Sequence, residues 1–183
     1  MGVGTNILGY SHPEIDRAVI QAVEYGNMST LLCPEEVYLA ERLVEIHPWA
    51  DMARLARTGG EACAIAVRIG RAASNRDNVA ICGYHGWHDW YLAANLIGNQ
   101  ELTDHLLPGL EPAGVPKSLT GTVLPFPYND PQALERLIID HEVGVIMMEV
   151  TRNEPPKTDF LRVVRKLATD NNIVLIFDEC TSG

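Results

Sequence analysis

Residues 173–179 read Ile-Val-Leu-Ile-Phe-Asp-Glu, an apolar run that ends in two carboxylates. A continuous apolar run such as Ile173 to Phe177 is typical of a strand that is buried on both faces of a sheet. An ionised carboxylate at the end of such a strand is costly unless a cation faces it. The run therefore predicts a buried strand, and Asp178 at its carboxyl end is the first candidate for a functional residue.

Further apolar runs and amphipathic segments alternate along the rest of the chain. They predict strands at residues 53–57, 79–82 and 143–150, and helices at residues 12–26, 34–47, 62–73, 131–140 and 159–170. Residues 98–127 contain many Gly and Pro and predict mostly loop. Strands that alternate with helices indicate an α/β fold, in which a mainly parallel sheet has helices on both faces. Ligands of such folds bind at the carboxyl ends of the strands.

The composition argues against several kinds of partner. The formal net charge is −10 and Lys and Arg form no cluster, so we expect no nucleic acid partner. No apolar run approaches the roughly 18 residues of a membrane span, and no secretory signal follows Met1. The four cysteines form no CxxC pair, which predicts reduced thiols in a cytoplasmic protein without a membrane partner.

Residues 57–62, Arg-Thr-Gly-Gly-Glu-Ala, join a strand signal to a helix signal. Gly59 and Gly60 would let backbone N–H groups approach an anion, and the N-terminus of the helix favours negative charge. The stretch matches neither the dinucleotide-binding nor the P-loop glycine pattern. A turn with a purely structural role is the alternative interpretation.

Residues 83–90, Gly-Tyr-His-Gly-Trp-His-Asp-Trp, follow the strand at 79–82. Tyr84 can offer a flat face to a planar heterocycle. His85, His88 and Asp89 have a spacing that suits a metal ion, but no distant His or Cys of comparable quality completes the set, so we expect no metal. Aromatic packing beneath a loop is a third interpretation.

The need for a cationic partner leaves two interpretations of Asp178. The magnesium ion of an ATPase would require a phosphate loop with a lysine, and Lys117, Lys157 and Lys166 lie in no glycine loop. The remaining partner is a protonated pyridine nitrogen. Residues 147–154, Met-Met-Glu-Val-Thr-Arg-Asn-Glu, indicate only that further polar groups lie near the strand ends.

Taken in this order, the motifs resemble class III pyridoxal-phosphate (PLP) aminotransferases, and within them the glutamate-1-semialdehyde aminomutase-like branch. The resemblance runs from residues 4–13 to residues 178–183. It implies the three-layer large domain of the PLP-dependent transferase fold (fold type I), present only in part. Residues 1–33 would lead into it and residues 34–183 would form it. It also implies a homodimer whose small-molecule substrates are an amino acid or amine and a carbonyl compound.

The resemblance assigns a role to each motif. The glycine turn matches the phosphate-binding turn of the family, often Ser-Gly-Thr, and because Gly60 replaces the Thr, backbone donors are expected to suffice. Asp178 matches the catalytic carboxylate that binds the pyridine N1–H⁺ and makes the ring an electron sink. The resemblance implies that Tyr84 stacks on one face of the cofactor ring and that Cys180 lies on the other face, where the family usually has Val. Glu149 matches the Glu of a Glu-Pro pair in which Val150 replaces Pro, and Asn153 or Glu154 would point towards the phenolic oxygen. The implied cofactor-binding residues are therefore Gly59, Gly60, Tyr84, His85, Glu149, Asn153 or Glu154, Asp178 and Cys180.

The family's Schiff-base lysine lies downstream of the Asp178 motif, and we expect it beyond Gly183. The chain alone is therefore expected to be an inactive fragment that also lacks the N-terminal arm and the C-terminal small domain. Val3 falls where the aminomutases tend to have Trp, so a transaminase and an aminomutase both remain open. The alternatives are a non-catalytic PLP-fold domain that binds a phosphate-bearing ligand, and a metal hydrolase built on His85, His88 and Asp89.

Overall fold

The computed structural model describes residues 5–26, 30–98 and 111–183, which divide into two compact units, residues 1–55 and residues 56–183. The first unit contains helices α1 (Pro13–Tyr25) and α2 (Pro34–Ile46). Both were predicted, and both begin at a proline, whose fixed φ suits the first helical position. The predicted division at residues 33 and 34 stays a prediction.

The second unit is built on a four-stranded parallel sheet. Its strands are β1 (Asn78–Cys82), β2 (Val123–Pro125), β3 (Val143–Glu149) and β4 (Val174–Asp178), in the spatial order β2-β1-β3-β4. The strands predicted at 79–82, 143–150 and 173–177 are thereby confirmed to within a residue or two at their ends. Cys82 pairs with Met148 and Glu149 pairs with Asp178, so the carboxyl ends of β1, β3 and β4 lie side by side.

Helices cover both faces of this sheet. They are α3 (Gly59–Ser74), α4 (Asp89–Leu92), α5 (Pro131–Asp140) and α6 (Phe160–Asp170). Val79 and Ile81 of β1 point into a core with α3 and α4, whereas Ala80 and Cys82 point into a second core with α5 and α6. Because successive side chains of a strand face opposite sides, both faces of the apolar strands are buried. The predicted three-layer α/β arrangement is confirmed.

Two sequence predictions differ from the structure. Residues 53–57 pair with no strand in the described part of the chain, and the Arg57 N–H, which a strand could have used for pairing, donates to Glu61 Oε2 at 2.9 Å, beside the start of α3. Within the predicted loop, β2 was missed, since only Val123 and Leu124 are apolar between Gly121 and Pro125. Short 3-10 turns at Ala93–Leu96 and Lys117–Leu119 and helix α4 were also missed, and residues 99–110 of that loop lie outside the described residues. No helix in the described ranges is long and apolar enough to cross a membrane.

Candidate functional site

The polar residues singled out by the sequence gather at the carboxyl edge of the sheet. Asp178 is the last residue of β4, and Glu149 is the last residue of β3. Tyr84 and His85 follow Gly83, which comes directly after β1. Parallel strands present their carboxyl ends at one edge, and the pairing of Glu149 with Asp178 brings both carboxylates to it.

The carboxylate of Asp178 is held by three donors. His85 Nδ1 lies 2.8 Å from Oδ2, the Cys63 thiol donates to the same oxygen over 3.5 Å, and the backbone N–H of Cys180 donates to Oδ1 over 3.0 Å. The His85 side chain is fully buried and that of Asp178 is 10% exposed. Burial alone would raise the pKa of Asp178, but the hydrogen bonds from His85 and the Cys180 N–H outweigh it, so the pKa lies below its ordinary value.

Cys63 contributes a neutral thiol to this cluster. Burial first, and then the neighbouring Asp178, raise the pKa of Cys63 to about 12, so at neutral pH the group is a weak hydrogen-bond donor and not a nucleophilic thiolate. The ligand atoms of Cys63, His85 and Asp178 lie within 4.8 Å of one another, close enough to hold a metal ion. In the described residues the ligand atom of His85 is thus grouped with those of Cys63 and Asp178. The metal hypothesis required it to be grouped with those of His88 and Asp89.

Glu149 fixes the loop that carries Tyr84. Its Oε2 accepts the backbone N–H of Tyr84 at 3.2 Å and lies 3.3 Å from Arg152 Nε. Gly83, with a φ of +123°, has no room for a side chain, since a Cβ there would lie 2.5 Å from Glu149 Oε2. The hydroxyl of Tyr91 donates to the Gly83 carbonyl at 2.7 Å. The Tyr84 backbone is therefore held firmly, while its side chain stays 43% exposed.

The N-terminus of α3 lies against the same edge. Thr58 Oγ1 accepts the Glu61 N–H at 3.2 Å and caps the helix, so that Gly59 and Gly60 form its first turn. A Cβ on Gly59 would lie 3.5 Å from Cys180 Sγ, and a Cβ on Gly60 would lie 2.8 Å from the His88 ring. The early N–H groups of a helix have no acceptor within it and favour an anion.

The structure brings most of the sequence-predicted residues together. Contacts at the sheet edge connect Gly59, Gly60, Tyr84, His85, Glu149, Asp178 and Cys180. Asn153 lies in an exposed bend after β3, and in the described residues no contact joins it to this group, so its assignment stays a prediction. Glu154 is exposed in the same bend.

Sequence reasoning missed Cys63 and the use made of His88. Cys63 comes one helical turn after Gly59, on the face of α3 that meets the sheet, and that spacing was a usable signal. His88 was considered only as a metal ligand. The packing of the His88 ring against Gly60 could not be predicted from the sequence. A glycine indicates that a side chain is missing, but not which other residue occupies the free space.

The arrangement suits a planar ligand with a cationic ring atom and an anionic group. A carboxylate has about four acceptor positions, and three donors reach Asp178, which leaves room for a further N–H⁺. Tyr84 offers an aromatic face, and the helix N-terminus at Gly59 and Gly60 suits an anion. His85 Nε2 and His88 Nδ1 are both buried and find no hydrogen-bond partner within the described ranges of the chain.

Comparison with known proteins agrees with this chemistry. The profile of the family described as aminotransferase class-III matches residues 1–183. The glutamate-1-semialdehyde 2,1-aminomutase of Nitratidesulfovibrio vulgaris is 35% identical over 98% of this chain and 43% of its own length. The 3-aminobutyryl-CoA aminotransferase of Cloacimonas acidaminovorans is 32% identical over 98% of this chain and 42% of its own length.

A solved structure described as "Transaminase with PLP bound" has a TM-score of 0.80 and 26% identity, and the match covers 95% of this chain and 42% of that one. The predicted PLP-dependent transferase fold is therefore confirmed. The chain spans less than half the length of these relatives.

Proposed function

This chain belongs to the class III aminotransferases, and we propose that it forms part of the cofactor-binding domain of an enzyme that transfers an amino group. The substrates would be an amino acid or amine and a carbonyl compound, and the reaction a transamination or the related aminomutase reaction. Pyridoxal phosphate, the expected cofactor, is supported by the family match and by the PLP-bound structural neighbour. The division into residues 1–33 and 34–183, a homodimer and a cytoplasmic location belong to the same proposal.

The observation that carries this proposal is the environment of Asp178. Its lowered pKa keeps the carboxylate ionised at neutral pH, and its own donors leave an acceptor position for a pyridine N1–H⁺. When bound, pyridoxal phosphate supplies the electron sink for amino-group transfer. Asp178 would keep the ring nitrogen protonated, and His85 would hold Asp178 in place.

The other residues of the site would bind and orient the cofactor. Tyr84 and Cys180 would pack on the two faces of the ring, and Gly59 and Gly60 would receive the phosphate at the start of α3. Glu149 would act indirectly, because it holds the backbone N–H of Tyr84. Asn153 or Glu154, which follow β3, would face the phenolic oxygen of the cofactor.

We expect that none of the lysines of this chain is the one that binds PLP covalently in this family. The three lysines are Lys117, Lys157 and Lys166. Lys117 lies in a 3-10 turn and Lys166 in α6, where it pairs with Asp170. We therefore propose that the catalytic lysine belongs to another part of the protein and that these 183 residues alone do not catalyse transfer.

Titration of the chain with PLP tests the proposal. We expect saturable, reversible binding that borohydride reduction does not convert into a stoichiometric lysine adduct. Asp178→Asn should weaken binding at least about tenfold, because it removes the charge that faces the ring nitrogen. The exposed Asp170→Asn is the matched control and should bind as the wild type does.

Two results would contradict the proposal. Absence of PLP binding to the wild-type chain would remove the assignment of the cofactor site. A stoichiometric adduct at Lys117, Lys157 or Lys166, located by peptide mass spectrometry, would show that the reactive lysine lies within the chain.

A further inference from the structure

We propose that His88 is a phosphate-binding residue of this site, whose imidazole takes the place of the side chain that residue 60 lacks. This inference rests on the proposed function, because it concerns the phosphate group of pyridoxal phosphate. It assigns a contact that the glycine turn alone does not provide. It also changes the expectation that backbone donors suffice at Gly60.

The space beside Gly60 is occupied by the His88 ring. A Cβ built on Gly60 would lie 2.8 Å from both His88 Nδ1 and His88 Cε1, closer than side-chain atoms approach one another. Gly86 meets Gly60 from the same loop, since a Cβ on Gly86 would lie 2.9 Å from Gly60 Cα. The two glycines thus let the loop after β1 approach the first turn of α3, and His88 fills the gap.

The edge of the ring that faces Gly60 carries an unused polar atom. His88 Nδ1 is buried and has no hydrogen-bond partner among the residues that the structure describes, and a buried polar group without a partner is costly and rare. The backbone of His88 is fixed, because its carbonyl accepts the N–H groups of Tyr91 at 2.9 Å and Leu92 at 3.1 Å. The Nδ1 atom, which would lie 2.8 Å from a Cβ on Gly60, is next to the first turn of α3.

An anion at the start of α3 would give this nitrogen a partner. The N–H of Glu61 is already used by Thr58 Oγ1, so the glycine turn offers the N–H groups of Gly59 and Gly60. A phosphate oxygen accepts hydrogen bonds and Nδ1–H of an imidazole donates them. The His88 ring would then supply the side-chain donor that the Thr of the common Ser-Gly-Thr turn would supply.

A comparison of PLP with pyridoxal, which has no phosphate, tests this role. Dissociation constants of both would be measured for the wild-type chain, His88→Ala, His88→Asn and the exposed control His141→Ala. We expect His88→Ala to weaken PLP binding about ten- to hundredfold, the effect of losing a hydrogen bond to a charged group, and to leave pyridoxal binding unchanged. His88→Asn should retain most of the preference for PLP, because its amide N–H₂ can replace Nδ1–H.

A second pair of variants tests whether a threonine side chain at residue 60 can replace His88 as the donor to the phosphate. Gly60→Thr alone should weaken the binding of both ligands, because its Cβ would collide with the His88 ring. Gly60→Thr combined with His88→Ala removes the collision and restores a hydroxyl donor, so the preference for PLP should return. A double variant that binds PLP no better than His88→Ala alone would contradict the inference.

The outcomes separate this inference from the proposed function. An unchanged ratio of PLP to pyridoxal affinity in His88→Ala, or an equal loss of both, would overturn the role of His88 while the cofactor site stands. A wild-type chain that binds PLP no better than pyridoxal would overturn the phosphate site, and one that binds neither would overturn both proposals. In the wild-type chain the His88 ring ¹⁵N resonances, identified with His88→Asn, should shift with PLP and not with pyridoxal.

Discussion

Asp178 carries a negative charge although only 10% of its side chain is exposed. Its hydrogen bonds come from His85, from Cys63 and from the backbone two residues later. These donors favour the ionised carboxylate more than burial disfavours it, which is why its pKa is lowered. The charge therefore contributes to stability as well as to the proposed function.

We predict that Asp178→Asn lowers the free energy of unfolding at pH 7 by about 1–3 kcal/mol, since it leaves buried donors without their charged acceptor. A carboxylate whose pKa is lowered by folding stabilises the protein above its unfolded pKa, about 4, and this contribution is lost as the pH falls through the folded pKa. The difference between wild type and variant should therefore shrink below about pH 4. Urea unfolding at a series of pH values measures it.

The exposed Asp170→Asn is the control for this experiment, because Asp170 pairs with Lys166 on the surface of α6. It should change stability by less than about 1 kcal/mol. A difference for Asp178→Asn that is the same at pH 7 and at pH 3 would contradict the assigned role of its ionised form.

At the scale of the elements, the turn after β1 depends on Gly83. Its φ of +123° is a conformation that residues with a Cβ rarely adopt, and Glu149 occupies the space where a Cβ would lie. The carboxylate of Glu149 also accepts the Tyr84 N–H. A side chain at residue 83 would therefore disturb the end of β3 and the position of Tyr84 together.

Gly83→Ala should lower the free energy of unfolding by more than Gly121→Ala, and by about 2–4 kcal/mol from backbone strain and overpacking. Gly121 also has a positive φ, +81°, but a Cβ there meets no atom of the described residues within 4 Å. The excess loss in Gly83→Ala therefore reports the collision with Glu149 together with the less favourable φ at residue 83. Chemical denaturation of both variants measures it, and equal losses would show that Glu149 moves aside without cost.

At the scale of the whole molecule, many large apolar side chains face solvent. Helices α1 and α2 bury no residue, and both expose aliphatic side chains such as Ile20 and Val37. In residues 56–183, Trp87 and Phe177 are exposed beside the candidate site. Exposed apolar side chains of this kind are common at interfaces, which supports the proposed homodimer.

We predict that the chain forms dimers or larger species at micromolar concentration, as measured by light scattering. Ile20→Glu should shift the distribution towards monomer, because it places a charge among the exposed apolar groups of α1. Glu24→Gln on the same helix removes a charge and adds none, and should leave association unchanged. A monodisperse wild-type monomer would argue against the homodimer.

The amino-acid sequence by itself determined the strands β1, β3 and β4, the long helices and the edge at which the site lies. The reason is that apolar runs and helical periodicity are local signals, and that parallel strands collect whatever follows them at one edge. The positions of Tyr84, Glu149 and Asp178 relative to these signals are therefore enough to place the three residues together, whereas Gly59 follows residues 53–57, which form no strand in the described part of the chain. The two-residue apolar core of β2 was too short to give such a signal.

Only the tertiary structure decided which side chains meet. His85 and Cys63 reach Asp178 across 93 and 115 positions of the chain, and His88 comes to lie in the space beside Gly60. These contacts depend on the order of the strands and on the rotamers chosen in a close-packed interior. No periodicity or spacing encodes them, because they arise between elements that are distant in sequence and adjacent only once the sheet has formed.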